Sequence, residues 1–414
     1  MKEEILSHLN NPRNLELIYR GNKVYFKHEF QKIYPEIKGS LIADFWNERL
    51  KHESDEFNWG SSTDWLFVVI VSFIAGLIAK IPALFSVDQE FFYSRNIGFI
   101  VFPALSVYFI RKNNLSVQKI SLIAFATVAG LVFINLFPDV KRSDTLVLSS
   151  IHLVLFLWCV LGFAFVAEKP ISTDNRLNFL KYNGDLVVIS ALILISGAIM
   201  TGMTIGLFSL IGFKIEKFYF DYVVIFGLAA VPIIGTYLTR TNPQLVGKVS
   251  PVIARIFSPL VAVMLVIYLS AMIYSGKNPY SDRDFLMVFN ALLIGVMAII
   301  FFSVAEISKS GKRQAEIWIL LILSVLTVIV NSVALSAIVF RISEWGITPN
   351  RMAVLGGNLL ILINLIMVIV QLYKVVLKKV DLSSVGKPIA VFLPIYFIWT
   401  IIVTFIFPLI FNFK

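Results

Sequence analysis

Cysteine and charged residues are both scarce in this sequence. The 414 residues include one cysteine, Cys159, and 15% of them are charged, whereas soluble domains carry about 25% charged residues. One cysteine excludes a disulfide framework within the chain. The patterns GxxxxGKS, GxxxxGKT, HExxH, GxSxG and CxxC are also absent, so no standard phosphate-binding, catalytic or metal signature is present. We therefore expect no cofactor and no metal.

Hydrophobic residues, in contrast, make up 58% of the chain and include 36 phenylalanines. They are concentrated in runs of about 20 residues, the length that crosses about 30 Å of hydrocarbon at 1.5 Å per residue. The pattern predicts an all-α, polytopic transmembrane helical bundle of about 11 spans. The apolar runs are 65–85, 96–110, 119–137, 145–166, 185–212, 219–239, 252–274, 284–305, 315–341, 350–373 and 389–411. The second run is short, and a re-entrant segment is the alternative there.

Residues 1–60 differ from the rest because they contain no apolar run of spanning length. Asn11 and Pro12 have the pattern of a helix cap followed by proline at the first helical position. Pro35 and the Gly39–Ser40 pair are expected to break the helical pattern twice more. We predict a small N-terminal cytosolic helical domain over 1–60 and a transmembrane domain over 65–411. The first domain is expected to contact either the membrane or a protein partner. No signal peptide is expected, because the N-terminus lacks an apolar core.

Lysine and arginine are distributed unevenly between the two sets of loops. Loops on one side carry three or four each, whereas loops on the other side, in which Arg95 is counted, carry one or two. Basic loops face the cytoplasm, so we expect the N-terminus inside and the C-terminus outside a bacterial cytoplasmic membrane. These loops also explain the net charge of +10, and no nucleic-acid partner is predicted.

Several polar side chains fall inside the predicted spans, where each is costly. Lys80, near the outer end of the first span, either snorkels to the interface or lines a site. His152, two turns into the fourth span, is either a neutral hydrogen-bonding group or a proton relay. Asparagines within the spans are expected to hydrogen-bond neighbouring helices, and they are Asn135, Asn290, Asn331, Asn358 and Asn364.

The stretch RISEWGITPNR, residues 341–351, separates the ninth and tenth runs. Gly346 is suited to the left-handed conformation that ends a helix. Thr348 is suited to cap the next helix, and Pro349 to its first position. These three residues account for a corner between two spans. They do not require an arginine at each end of it.

The two arginines suggest an outer-leaflet polar pocket. We hypothesise that Arg341 and Arg351 bind an anionic small molecule or a lipid headgroup, bidentate where geometry allows. Asp284 and Glu344 are the carboxylates expected to orient these arginines in the empty state. Lys80 and His152 are expected just below them. The alternative is a purely structural corner, since structural ion pairs also cluster in this way.

Three stretches point to a known family: SRNIGFIVFPALSVYF (94–109), DYVVIFGLAAVPIIGTYL (221–238) and RISEWGITPNRMAVL (341–355). They resemble a bacterial family of integral membrane proteins catalogued as domain of unknown function 4153. The resemblance covers about 65–411, and its most specific piece is the arginine followed by Gly-x-Thr-Pro-Asn-Arg. It implies a fold with many spans, and it implies no particular activity, substrate or cofactor.

Three classes of function fit the sequence. The first is a permease-like or channel-like protein with the outer-leaflet pocket. The second is a membrane sensor or assembly partner that signals through the N-terminal domain. The third, an enzyme acting on a lipid-linked substrate, has little support, because the outer side offers few carboxylates. In each case the lipid bilayer is a partner.

Overall fold

The structure, a computed structural model, describes residues 2–9, 11–21, 23–52, 60–138, 140, 143–166, 172–210, 213–243, 258–267, 270, 283–307 and 314–414. Within these residues every regular element is a helix and no strand is present, which confirms the all-α prediction. The chain divides into two compact units, Met1–Trp59 and Gly60–Lys414, called unit 1 and unit 2 below. The cytosolic location of unit 1 stays a prediction.

Unit 1 is a small helical unit around an aromatic core. Asn11 begins the second helix as predicted, since its Oδ1 accepts a hydrogen bond from Asn14 N at 3.2 Å. Phe26, Phe30 and Trp46 are almost fully buried and pack within a single apolar cluster. The helices are α1 (Lys2–Ser7), α2 (Pro12–Gly21), α3 (Lys23–Ile37) and α4 (Leu41–His52). The predicted break at Pro35 is wrong, since this residue lies inside α3.

Unit 2 consists of long apolar helices. Its described helices are α5 (Ser62–Ala79), α6 (Ile81–Phe85), α7 (Gln89–Asn113), α8 (Val117–Asn135), α9 (Asp144–Val166), α10 (Thr173–Leu210), α11 (Glu216–Thr241), α12 (Ser258–Ile267), α13 (Arg283–Ile307), α14 (Gln314–Trp345), α15 (Pro349–Val376) and α16 (Gly386–Ile410). Most of their outward-facing side chains are large and apolar, as expected of helices in contact with lipid. Buried side chains form the two main apolar clusters of the unit.

Nine helices of the described part of the chain are long and apolar enough to cross a membrane. The chain is therefore a multi-pass membrane protein. Two of the predicted runs, 252–274 and 284–305, correspond to the shorter described apolar segments Ser258–Ile267 and Leu292–Ala305. The rest of run 252–274 lies largely outside the described residues.

The short run 96–110 lies within a helix of spanning length, α7. Asp88 begins this helix, because its Oδ1 accepts a hydrogen bond from Phe91 N at 2.7 Å. The 25 residues of α7 extend over roughly 37 Å, more than the hydrocarbon thickness. The placement of Arg95 in a loop is therefore wrong, since this residue lies in the second turn of α7.

Helix α16 contains a π-helical turn at Ile402–Ile406. Within this turn, the carbonyl of Thr404 accepts a hydrogen bond from Ser149 Oγ of α9 at 2.9 Å. Beyond it, the last residues of the chain return to the start of α9. Thr145 N donates to Lys414 O at 2.9 Å. The π turn thus lies where α16 and α9 are joined by hydrogen bonds.

Candidate functional site

The corner between α14 and α15 has the local structure that its sequence predicts. Gly346 has a φ of +77°, which is the left-handed region that glycine tolerates best. Thr348 caps α15, since its Oγ1 accepts a hydrogen bond from Arg351 N at 3.3 Å. Pro349 is the first residue of α15. The chain therefore reverses direction here by standard capping rules.

The two predicted arginines lie around one indole ring. The guanidinium carbon of Arg341 lies 5.7 Å from the Trp345 ring centroid, and that of Arg351 lies 5.8 Å from it. Arg341 is 8% exposed. Arg351 Nη1 donates to the carbonyls of Trp345 at 2.8 Å and Gly346 at 2.6 Å. Part of the Arg351 fork thus satisfies carbonyls at the end of α14, which have no partner within the helix.

Of the two predicted carboxylates, only Glu344 has a described side chain. Glu344 is exposed, and no ion pair joins it to Arg341 or Arg351 among the described residues. Asp284 lies in the first turn of α13, and its side chain is outside the described residues. The acceptors that the structure gives Arg351 are main-chain carbonyls. These carbonyls are available because the helix ends there, and the residue types alone do not reveal them as acceptors.

Lys80 contacts a ring of α11, and His152 is hydrogen-bonded within its own helix. Lys80 caps the end of α5 and is 6% exposed, and its Nζ lies 4.4 Å from the Tyr222 ring centroid. His152 Nδ1 donates to Leu148 O, one turn earlier in α9, at 2.9 Å. The Nε2 atom of this tautomer is then an acceptor. The Lys80 ammonium over the Tyr222 ring forms a cation–π contact, which partly compensates for the hydration that this buried cation has lost.

The predicted residues lie at one end of unit 2 but in separate groups. Met352, next to Arg351, packs in the same apolar cluster as Leu148, so the corner is level with the start of α9. Among the described side chains, no hydrogen bond, ion pair or ring contact joins Lys80 or His152 to the two arginines. Lys80 at the end of α5 and His152 in α9 are therefore separate from the two arginines at the corner.

Asparagine side chains within α13, α14 and α15 form hydrogen bonds between these helices. Asn331 Nδ2 donates to Asn358 O at 3.0 Å, and Asn358 Nδ2 donates to Asn290 Oδ1 at 2.7 Å. These hydrogen bonds confirm, for Asn290, Asn331 and Asn358, the prediction that asparagines connect neighbouring helices. We call these three residues, together with Asn364 and Ser324, the amide track.

Asn364 departs from the prediction. It is fully buried, and neither its Oδ1 nor its Nδ2 has a hydrogen-bond partner in the described part of the chain. Ser324 Oγ and Asn331 Oδ1 also lack partners there. Ser324 lies two turns before Asn331 in α14, and Asn364 lies nearly two turns after Asn358 in antiparallel α15. Ser324 and Asn364 are therefore at nearly the same level, whereas Asn331 lies about 10 Å from Ser324 along α14.

Comparisons of the chain with protein families, with curated proteins and with solved structures found no match. The resemblance to the family of domain 4153 and the bacterial origin therefore stay predictions. The asparagines of the track were predicted from the sequence, but a single sequence does not show which of their side chains have hydrogen-bond partners.

Proposed function

We propose that this multi-pass membrane protein is permease-like and moves a small polar solute, selected for negative charge, along the amide track. The observation that carries the proposal is Asn364, whose amide is fully buried without a partner among the described residues. Burying an unbonded amide costs roughly 2–7 kcal/mol. In a membrane neither lipid nor neighbouring water offsets that cost.

Further unsatisfied groups along α14 strengthen the proposal. Ser324 Oγ offers a donor, and Asn331 Oδ1 offers an acceptor. A solute with both donors and acceptors bonds to these groups in turn as it moves along the track, whereas an apolar helix contact bonds to none. Transporters commonly bind their substrates near the middle of the bilayer. The position of the track near the middle of α14 and α15 is consistent with that pattern.

The corner supplies the selection for charge. Arg341 lies ten residues from Asn331 in α14, which is about 15 Å along the helix. Arg351 lies two turns before Asn358 in α15. Two guanidinium groups around Trp345 therefore lie where α14 ends and α15 begins, and both of these helices contain residues of the track. A cationic entrance raises the local concentration of anions and lowers that of cations.

The test is the access of a small thiol reagent to the track. In a Cys159→Ala background, Asn364→Cys and Ser324→Cys are reconstituted in proteoliposomes and treated with the anionic reagent methanethiosulfonate ethylsulfonate. Both are expected to react, and to react more slowly with the cationic ethyltrimethylammonium reagent. Leu365→Cys is the matched control, since Leu365 is fully buried in the apolar cluster beside Asn364.

Leu365→Cys is expected to stay unmodified under the same conditions. If the two track positions react no faster than Leu365→Cys, the track is a closed contact between helices and the permease proposal fails. If they react equally fast with both reagents, the path exists but the corner does not select for negative charge.

A further inference from the structure

Arg95 is a buried arginine, and two of its donor atoms lack an acceptor among the described residues. The residue is 6% exposed, and its Nε and Nη2 atoms have no hydrogen-bond partner in the described part of the chain. Other arginines of unit 2 do have acceptors. Arg111 Nη2 lies 3.4 Å from Asp64 Oδ1, and Arg351 binds two carbonyls. A buried arginine without an acceptor is strongly unfavourable unless a ligand supplies one.

The two unpaired atoms lie on the same edge of the guanidinium. Nε–H and one Nη2–H point in parallel, which is the arrangement that binds two oxygens of one carboxylate or phosphate group. Phe91 occupies a different side, since its ring lies over the guanidinium face, 4.0 Å from Arg95 Cζ. Phe91 is 37% exposed. The aromatic ring therefore shields the cation from one direction and leaves the in-plane edge for an oxyanion.

Among the described residues, the neighbours of Arg95 do not supply that oxyanion. The next residue, Asn96, is already paired with Asn135 through reciprocal amide hydrogen bonds of 2.9 and 2.8 Å. The nearest carboxylates along the chain, Asp88 and Glu90, are both exposed, and Asp88 accepts a hydrogen bond from Phe91 N at the helix start. No ion pair of Arg95 occurs among the described residues.

Helix α9 brings a second unsatisfied donor to the same level. Gly98 of α7 faces Val154 and Leu157, and further along Phe109 packs on Phe165. The two helices are therefore parallel, with Arg95 one turn before Gly98. That turn of α7 is level with the turn of α9 that contains Ser150. The Oγ of Ser150 is buried and has no partner in the described residues.

We infer that Arg95 binds a phosphate group at this end of unit 2, independently of the amide track. Its Nε and Nη2 atoms donate to two phosphate oxygens, and Ser150 lies at the same level to donate to a third. Arg95 is about 9 Å from the start of α7, close to the depth of the headgroup region. The phosphate of a lipid headgroup and free inorganic phosphate share this chemistry.

The experiment uses the full chain, purified in detergent and depleted of lipid. Melting temperature is measured against increasing inorganic phosphate, and separately against short-chain dihexanoyl phosphatidylglycerol, with chloride as the ionic-strength control. Wild type is compared with Arg95→Lys and Arg95→Met. The same substitutions at Arg111, which is exposed and paired with Asp64, are the matched controls.

We expect the melting temperature of wild type to rise with one of the two phosphate probes. Arg95→Lys should require at least about tenfold more of that probe, because lysine keeps the charge and loses the planar fork. Arg95→Met should show no phosphate-dependent rise. In phosphate-free buffer it should melt above wild type, since it no longer buries an unpaired charge. The Arg111 variants should respond as wild type does.

The two probes distinguish the source of the phosphate. A rise with phosphatidylglycerol alone identifies a lipid site, and a rise with inorganic phosphate identifies a solute site. If neither probe raises the melting temperature of wild type, a trapped water or a protein group satisfies Arg95 and the proposal fails. It also fails if Arg95→Lys responds at the wild-type concentrations, and this titration decides alone where Arg95→Met does not yield folded protein.

Discussion

Arg49 of α4 binds Glu16 of α2 through two hydrogen bonds. Its Nη1 lies 2.8 Å from Oε2, and its Nη2 lies 3.3 Å from Oε1. The same guanidinium lies over the Trp46 ring, 4.6 Å from its centroid. Hydrogen bonds from Arg20, and then from Arg49, lower the pKa of Glu16 below its usual 4.5. Charge and ring contact together therefore connect two helices of unit 1.

This ion pair predicts that unit 1 is sensitive to acid. A carboxylate whose pKa is lowered in the folded state contributes stability that is fully present above its unfolded pKa and is lost as pH falls through the folded pKa. We expect backbone amides of α2 and α4 to exchange faster as pH falls below the usual 4.5 of Glu16, after correction for intrinsic rates. Hydrogen exchange of the full chain measures this effect.

Substitution of Arg49 and of Arg20 shows which arginine contributes more to the stability of unit 1. Arg49→Gln is expected to destabilise unit 1 by roughly 1–2 kcal/mol, because it removes an ion pair and a cation–π contact. Arg20 also binds Glu16, but its side chain is 72% exposed and solvent screens it. Arg20→Gln should therefore cost less than about 0.5 kcal/mol. Equal effects of the two substitutions would show that the link between α2 and α4 contributes little.

Truncation tests the independence of unit 2. Each unit has its own apolar core among the described residues, so a chain that begins at Gly60 is expected to insert and fold. Its melting temperature in detergent should stay close to that of the full chain. Size-exclusion chromatography provides the second measurement. Aggregation of the truncated chain, with a monodisperse full chain, would contradict the prediction.

Labelling tests the orientation that the basic loops predict. In a Cys159→Ala background, Gln118→Cys and Asp381→Cys should react with an impermeant maleimide only from the cytoplasm. Gln89→Cys and Ile347→Cys should react only from outside. All four native residues are exposed, so accessibility does not limit the reaction. The reverse pattern would overturn the cytoplasmic location of the N-terminus.

At the corner, stability and selectivity are expected to separate. Arg351→Gln should destabilise the protein by roughly 1.5–3 kcal/mol, because it removes charge-assisted hydrogen bonds to two carbonyls. Glu344→Gln, at an exposed position, should stay within about 0.5 kcal/mol of wild type. Arg341→Lys should slow the anionic thiol reagent at Asn364→Cys while the melting temperature changes little. A matching loss of both would make the corner purely structural.

The amide track makes an opposite pair of predictions. Asn364→Leu should raise stability by roughly 1–3 kcal/mol, because it removes an unsatisfied amide from apolar surroundings. Asn358→Leu should lower stability, because it breaks the 2.7 Å hydrogen bond to Asn290. Thermal unfolding in detergent measures both. If Asn364→Leu is as destabilising as Asn358→Leu, Asn364 has a bonding partner in the folded protein.

Local rules explain which features were predictable from the sequence. Gly346, Thr348 and Pro349 each act on their own backbone, so residue type was sufficient. The acceptors of Arg351 were not predictable, because they are carbonyls exposed by a helix end. Arg95 was misplaced because the apolar run begins after it, although the cap at Asp88 starts the helix earlier.

Long-range packing decided the remaining features. Asn331, Asn358 and Asn364 have the same residue type and similar apolar neighbours along the chain. Among the described residues, only the packing of α13, α14 and α15 gives partners to the first two side chains and none to the third. A single sequence carries no record of which helix face meets which neighbour. The unsatisfied groups of unit 2 were therefore accessible only from the structure.

The π-helical turn of α16 is equivalent to the insertion of one residue into an otherwise continuous α-helix. Each extra residue rotates everything after it by about 100°, so Phe407–Ile410 keep their present direction only while Ile402–Ile406 stay wound in this way. Loss of one residue here would turn the end of the chain away from Thr145 and the start of α9. The length of this segment, more than its composition, therefore constrains how the sequence can change.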